Sequence, residues 1–315
     1  MKAALGLALG LALLSLGACT ASTEVNGGLG TFRPDDDGSF STVIVGGQNQ
    51  GAFFSTDLCK TWQSASTLVL RIYGMASSEH YVFAITAASG VFRSSDNGDT
   101  WSHINTQFDS TGNSCFASGS IVLLGASRGI LRSTDEGDTW TLATTLAQGV
   151  LGFTHIGNTI FAATTSQGVA RSTDNGETWD VSNGAFGGSS ITGIGTDGTL
   201  VYATSNGSAV FRSSDRGDSW QRLGFNCPVS YGLTWSKNAL YGGTTSGLAR
   251  SVDSGVTWES IQDIPSLIYR PLARNNYIFA ASYARGMFLS SDYGSTWQQM
   301  NNGLTDSIFL ASAVH

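Results

Sequence analysis

The sequence predicts an all-β fold: a seven-bladed β-propeller of four-stranded blades, closed by the C-terminal strand joining the first blade. Three observations carry this expectation. First, the phrase Ser94-Ser95-Asp96-Asn97-Gly98-Asp99-Thr100-Trp101 recurs at 133–140, 172–179, 213–220, 251–258 and 290–297, with a degenerate first copy at 55–62. Second, the phrases end on Trp62, Trp101, Trp140, Trp179, Trp220, Trp258 and Trp297, spaced 38 to 41 residues apart, and only Trp235 stands outside the series. Third, each interval divides into four short apolar runs separated by glycine-rich turns. A period near 40 with four strands per unit is the sequence form of a propeller.

The elements follow in chain order. Met1-Lys2 supplies a positive start, and residues 3–16 form an apolar run of 14 residues. That is short of the roughly 20 residues a membrane-spanning helix needs, so the run reads as the core of a signal peptide. Leu16-Gly17-Ala18-Cys19 resembles a bacterial lipobox, whose cysteine carries a diacylglyceryl group and begins the mature chain. The expected division is residues 1–18 as a lipoprotein signal peptide, 19–40 as a lipidated tether and 41–315 as the propeller. Cys19 is the expected lipidation site. Thr20 stands where an Asp would favour inner-membrane retention, so the expected location is the cell envelope: the outer membrane or cell surface in a Gram-negative cell.

Residues 41–46 match a second strand, with no inner strand before them. In the next unit the strands are expected at 71–76, 81–86, 90–94 and 100–104. After the seventh Trp, residues 307–314 remain as a surplus strand. Placing it beside 41–46 supplies the missing inner strand and hides an open sheet edge. Within the repeated turn, the Asp accepts backbone N–H bonds, as in Asx turns. The Gly supplies a left-handed conformation at no steric cost, and the Trp packs between blades. The phrase is therefore a folding device first.

The S-x-D-x-G-x-T-W phrases resemble the Asp boxes of the BNR superfamily, over about residues 41–315. That resemblance implies a propeller and leaves function open, because it spans sialidases, xyloglucan-type endoglucanases, sortilin-like receptors and photosystem II assembly-factor-like proteins. The even spacing and the wording Gly90-Val91-Phe92-Arg93-Ser94 are most similar to the last group and to sialidase-like bacterial propellers.

Glycoside hydrolysis needs paired carboxylates or a tyrosine nucleophile on one face. Of the 23 acidic residues, 12 fall in the repeated turns, on the face opposite the usual propeller binding site. Only Asp109, Asp263 and Asp306 enter blades from the binding face, each in a separate blade, which suits solvated loops better than a catalytic pair. The F/Y-R-I/L-P motif that sialidases carry is incomplete in Phe32-Arg33-Pro34. Arg93, Arg132, Arg171, Arg212 and Arg250 recur at one strand position and are expected to pack or face solvent.

Arg128, Tyr231, Tyr269, Arg270, Tyr283 and Arg285 fall outside the repeat pattern and near the expected channel mouth. They are the candidate binding residues. The reading is a noncatalytic binding or assembly module with a protein or glycan partner in the envelope, touching the membrane through its lipid anchor only. A secreted glycoside hydrolase is the alternative. A net charge of -7 argues against a nucleic-acid surface, which is ordinarily basic. The Asp-Asn-Gly-Asp turns lack the bidentate Glu of a calcium loop, the histidines are scattered and no C-x-x-C occurs, so neither a metal nor a cofactor is expected. Cys59, Cys115 and Cys227 are placed in different blades or on opposite faces, beyond the roughly 7 Å that a disulfide spans.

Overall fold

The computed structural model describes residues 42–306, apart from 87–88, 105–111, 127–128, 146–148, 183–184, 207–208, 224–228 and 230, together with the backbone of 309–314. Its strands form seven four-stranded antiparallel sheets. Each sheet is one blade, and each inner strand packs beside the next around a closed ring. Every blade but the first is continuous in sequence: blade 2 runs Ile72–Ser77, Val82–Thr86, Val91–Ser94 and Ser102–Ile104. Blade 1 takes its inner strand, Phe309–Val314, from the far end of the chain and adds Val43–Gly47, Ala52–Ser55 and Gln63–Ser64. Val43 pairs with Val314 and Gly46 with Ala311. The surplus strand thus closes the ring as the sequence predicts.

More than the strand pairing joins blades 1 and 7. Val43, Val45, Phe53, Cys59 and Trp62 share one apolar cluster with Leu272, Phe279, Met287 and Leu289. The Trp62 indole N–H donates to the Met300 carbonyl at 2.8 Å, and the Trp62 amide to that of Asn302 at 2.9 Å. Asp306 is a correction to the sequence reading. It is not a solvated loop carboxylate but a buried one, 7% exposed. It accepts the amides of Asn49 and Gln50 at 2.8 and 3.2 Å, and so binds the last loop to the first hairpin.

The repeated turn keeps one set of serine and aspartate hydrogen bonds in all seven blades, and the indole cap on its glycine is made in blades 2, 3, 4, 6 and 7. In blade 2, Ser94 Oγ donates to Asp96 at 2.8 Å and accepts the Gly98 amide at 2.9 Å. Asp96 in turn accepts the Thr100 amide at 2.9 Å and the Thr100 hydroxyl. The Trp101 indole N–H caps the Gly98 carbonyl at 2.8 Å. The residue before the glycine is left-handed in every copy, as at Asn97 (φ 61°), and the first copy holds both Leu58 and Cys59 in that region. Leu58 and Cys59 replace the Asn-Gly pair, and burial pushes the Cys59 thiol up to about 12, with the Asp57 charge adding to the effect. Cys115 is also buried, in blade 3. Cys19, the tether and Cys227 lie outside the described residues.

The repeated turns and the hairpins between first and second strands share one face of the disc, seen where the Glu136 amide donates to Ser120 and the Tyr293 amide to Asn276. The loops between second and third strands meet the loops entering each blade on the other face, as where the Tyr283 amide donates to Leu267 and that of Asn206 to Ser190. These are the turn face and the mouth face.

Candidate functional site

The mouth is built by a bulge. In blades 2, 3, 4, 5 and 7 the pairing of the inner strand shifts near its start: between Ile72 and Gly74, Gly112 and Ser114, Val150 and Gly152, Ile191 and Gly193, and Ile268 and Pro271. An extra residue in an antiparallel pair bends the strand and re-aims its side chains. The extra positions carry Tyr73, Asn113, Leu151, Thr192 and the pair Tyr269-Arg270. Pro271 sits at its own bulge, where a missing N–H costs no ladder bond.

Blade 7 departs from the others. Two residues after the first paired residue of the inner strand stand Gly74, Ser114, Gly152 and Gly193 in blades 2 to 5, and Gly232 stands at the matching place in blade 6. In blade 7 it is Arg270, a large charged side chain that is 91% buried. A Cβ on Gly232 would fall 2.5 Å from Arg270 Cγ, and a Cβ on Gly152 would fall 3.1 Å from its Nη1. The arginine therefore leaves blade 7, passes over blade 6 and brings its guanidinium against blade 4, across the centre of the ring. Gly232 makes that path possible, and Gly152 leaves room at its end.

Three tyrosines lie beside this strut. The rings of Tyr231 and Tyr269 meet edge to face with centroids 5.0 Å apart, and those of Tyr269 and Tyr283 at 6.0 Å. Edge-to-face packing suits the aromatic quadrupole. Tyr269 is buried, while Tyr231 and Tyr283 are half-buried and reach solvent. Burial pushes the Tyr269 phenol up to about 12, with Tyr231 and Tyr283 adding to the effect and Arg71 opposing it. Burial also raises Tyr231. Both phenols stay neutral and able to donate near neutral pH.

Of the candidates read from the sequence, the structure thus brings Tyr231, Tyr269, Arg270 and Tyr283 together. Arg285 is exposed in the same loop as Tyr283, and its carbonyl accepts the side-chain amides of Gln299 and Asn301 at 2.6 and 2.8 Å. Arg128 lies outside the described residues. Sequence reasoning left out Arg71 and Tyr73. The Arg71 guanidinium sits 4.8 Å from the Tyr73 ring centroid, and its Nε is buried with no hydrogen-bond partner among the described residues. The alignable signal was present: Ile72-Tyr73 and Ile268-Tyr269 occupy the same repeat position. Val69 and Leu70, 67% and 37% exposed, precede Arg71 on this face.

The described carboxylates of the mouth face do not form a pair. Asp263 is exposed in the loop entering blade 7, and Asp306 is engaged by the first hairpin. The recurrent arginines lie elsewhere. Arg93, Arg132 and Arg171 bridge blades by donating to the Glu136, Asn175 and Arg216 carbonyls of the next turn, at 2.8, 2.9 and 3.0 Å.

No family model matches the chain, and no curated protein does. Solved structures resemble it in fold. YCF48 from Cyanidioschyzon merolae is 18% identical, with a TM-score of 0.57 over 75% of this chain and 86% of that one. A structure described as YCF48 bound to D1 peptide is also 18% identical, with a TM-score of 0.53 over 70% and 79%. The GH74 xyloglucanase from Xanthomonas campestris is 14% identical, with a TM-score of 0.62 over 88% of this chain and 52% of that one. Such likeness establishes the propeller and leaves function to the site.

Proposed function

We propose that the chain is a noncatalytic binding or assembly module that takes a protein or glycan partner at the channel mouth and is held in the cell envelope by a lipid on Cys19. The observation that carries the reading is the Arg270 strut beneath the Tyr231–Tyr269–Tyr283 ladder. Buried aromatics and arginine on a rigid frame, with their edges open to solvent, are what binding hot spots are made of. The absence of a carboxylate pair among the described mouth residues favours binding over glycoside hydrolysis. A peptide-bound YCF48 among the similar folds is in keeping with a protein partner.

The topology suits display. Thr42, where the described chain enters, and Val314, paired beside Val43, both lie at the turn face. A tether from Cys19 would therefore attach on the side away from the mouth and leave the mouth unobstructed.

The test is capture from solubilised envelope. Bait carrying Tyr283→Ala at the half-buried end of the ladder and Arg285→Ala at an exposed position should lose a partner that the unaltered chain retains. Equal capture by both baits would place the interaction elsewhere. Turnover of a polysaccharide by the purified chain would establish the hydrolase instead.

A further inference from the structure

A second site lies on the opposite face, between blades 6 and 7. Its origin is a side-chain exchange along one register. In blades 2, 3 and 4 the recurrent arginine lies across from Phe83, Leu123 and Phe161 on the neighbouring strand. There the arginine itself reaches the next turn's carbonyl. In blade 6 the cross-strand partner of Arg250 is Tyr241. The Tyr241 hydroxyl takes over the task and donates to the Tyr293 carbonyl at 2.6 Å. Arg250 is released to its own blade, where Nη1 meets Glu259 at 3.4 Å. Its Nε is buried with no hydrogen-bond partner among the described residues.

The exchange leaves a cavity of about 270 Å³ lined by Lys237, Tyr241, Arg250, Val252, Asp292 and Tyr293, among others. Lys237 Nζ is held 4.7 Å from the Tyr293 ring centroid. The carboxylate of Asp292 is occupied by its own turn, accepting Ser290 Oγ, the Thr296 amide and the Thr296 hydroxyl. Ser236 and Ser295 are likewise engaged, donating to the Asn275 and Asp292 carbonyls, so the charged donors that line the cavity are Lys237 and Arg250, with Asn238 beside them. Val252, 63% exposed, and the Tyr293 ring offer apolar surface at the rim.

We propose that this cavity binds a small carboxylate, of amino-acid or sugar-acid size. Its volume lies just below the roughly 300–1,000 Å³ of ordinary ligand pockets, which limits the ligand to a single ring or a short chain. Arg250 and Lys237 hold the carboxylate by charge-assisted hydrogen bonds, and the ligand's apolar body rests on Val252 and Tyr293. The site is independent of the mouth and shares no residue with it.

The chain has three lysines, Lys2, Lys60 and Lys237, so ¹³C-dimethylation of lysine, which keeps the charge, gives a sparse NMR spectrum. Lys237→Arg identifies the Lys237 signal. In the full chain, benzoate should move that signal saturably, with a dissociation constant on the order of 1–10 mM. The Lys60 signal should stay still, and neutral benzamide should move neither. Arg250→Gln should weaken benzoate about tenfold, the loss of one hydrogen bond to a charged group. Tyr241→Phe, which restores the residue type of blades 2 and 4, should return Arg250 to the Tyr293 carbonyl and abolish the shift. A Lys237 signal unmoved by benzoate, moved equally by benzamide, or unaffected by Arg250→Gln would overturn the proposal.

Discussion

Arg270 stands at a ring position that is glycine or serine in blades 2 to 6, and its path runs through the space that a Cβ on Gly232 would take and close past Gly152. Gly232 has an ordinary backbone, so alanine there is penalised by the 2.5 Å approach to Arg270 Cγ and not by strain. Gly232→Ala should lower stability by about 1–3 kcal/mol, as overpacking of a closed site does. Arg270→Ala should restore most of that loss in the double variant, because the clash then has no second partner. Urea midpoints of the four chains measure the coupling, and additive effects would mean that the arginine does not follow the path described. Much of this site was legible in the sequence. Tyr231, Tyr269, Arg270 and Tyr283 interrupt an otherwise regular repeat, and the repeat places them at one end of the inner strands. What was not legible is the contact of Arg270 with Gly152, three blades away. A single chain carries no trace of a pairing across the ring.

The repeated turn sets much of the response of the fold to acid. Hydrogen bonds from the Thr139 and Ser219 side chains, followed by the backbone amides of the same residues, hold Asp135 and Asp215 down at about 2. The other turn aspartates shift in the same direction. Their folded values lie below the unfolded value of 3.8. The stability they contribute is therefore complete above about pH 4 and is lost as pH falls towards 2. Melting temperature should be flat from pH 7 to 5 and fall steeply below 4. A fall already complete by pH 5 would assign acid sensitivity to other groups. Asp135→Ala should cost about 1 kcal/mol at pH 7 and flatten that acid limb, the modest figure reflecting an exposed carboxylate. The turn was legible because its Ser, Asp, Gly, Thr and Trp are each held to one place by one hydrogen bond or one φ. The exchange of Arg250 for Tyr241 was not, since it depends on which strands lie side by side.

The ring is held shut by one strand, and its ends carry unequal stakes. Residues 309–314, which the deletion of 307–315 removes, supply the inner strand of blade 1, paired from Val43 to Gly47. Deleting them strips that edge and leaves a flat, unpaired strand of buried residues open to other chains. The Trp62–Met300 bond, the Asp306 clamp and the apolar cluster shared by blades 1 and 7 would remain. They pack the two blades side by side but supply no backbone ladder for Val43–Gly47, which the last strand alone provides on that edge. Large buried side chains contribute about 1.5–3 kcal/mol each when fully covered, and a whole domain is stable by only about 5–15 kcal/mol. Loss of one inner strand should therefore bring the truncated chain to aggregation or to a melting temperature far below that of the full chain. Asp306→Ala, which frees the backbone amides of Asn49 and Gln50 and the Asn49 side-chain amide, should cost less, about 1–3 kcal/mol. Deleting residues 20–38, which lie before the first strand of the ring, should leave melting nearly unchanged. Thermal unfolding of the three variants, read beside light scattering, ranks them. A normal melt for the C-terminal truncation together with a lowered one for the 20–38 deletion would show that the N-terminal segment, and not the last strand, closes the ring.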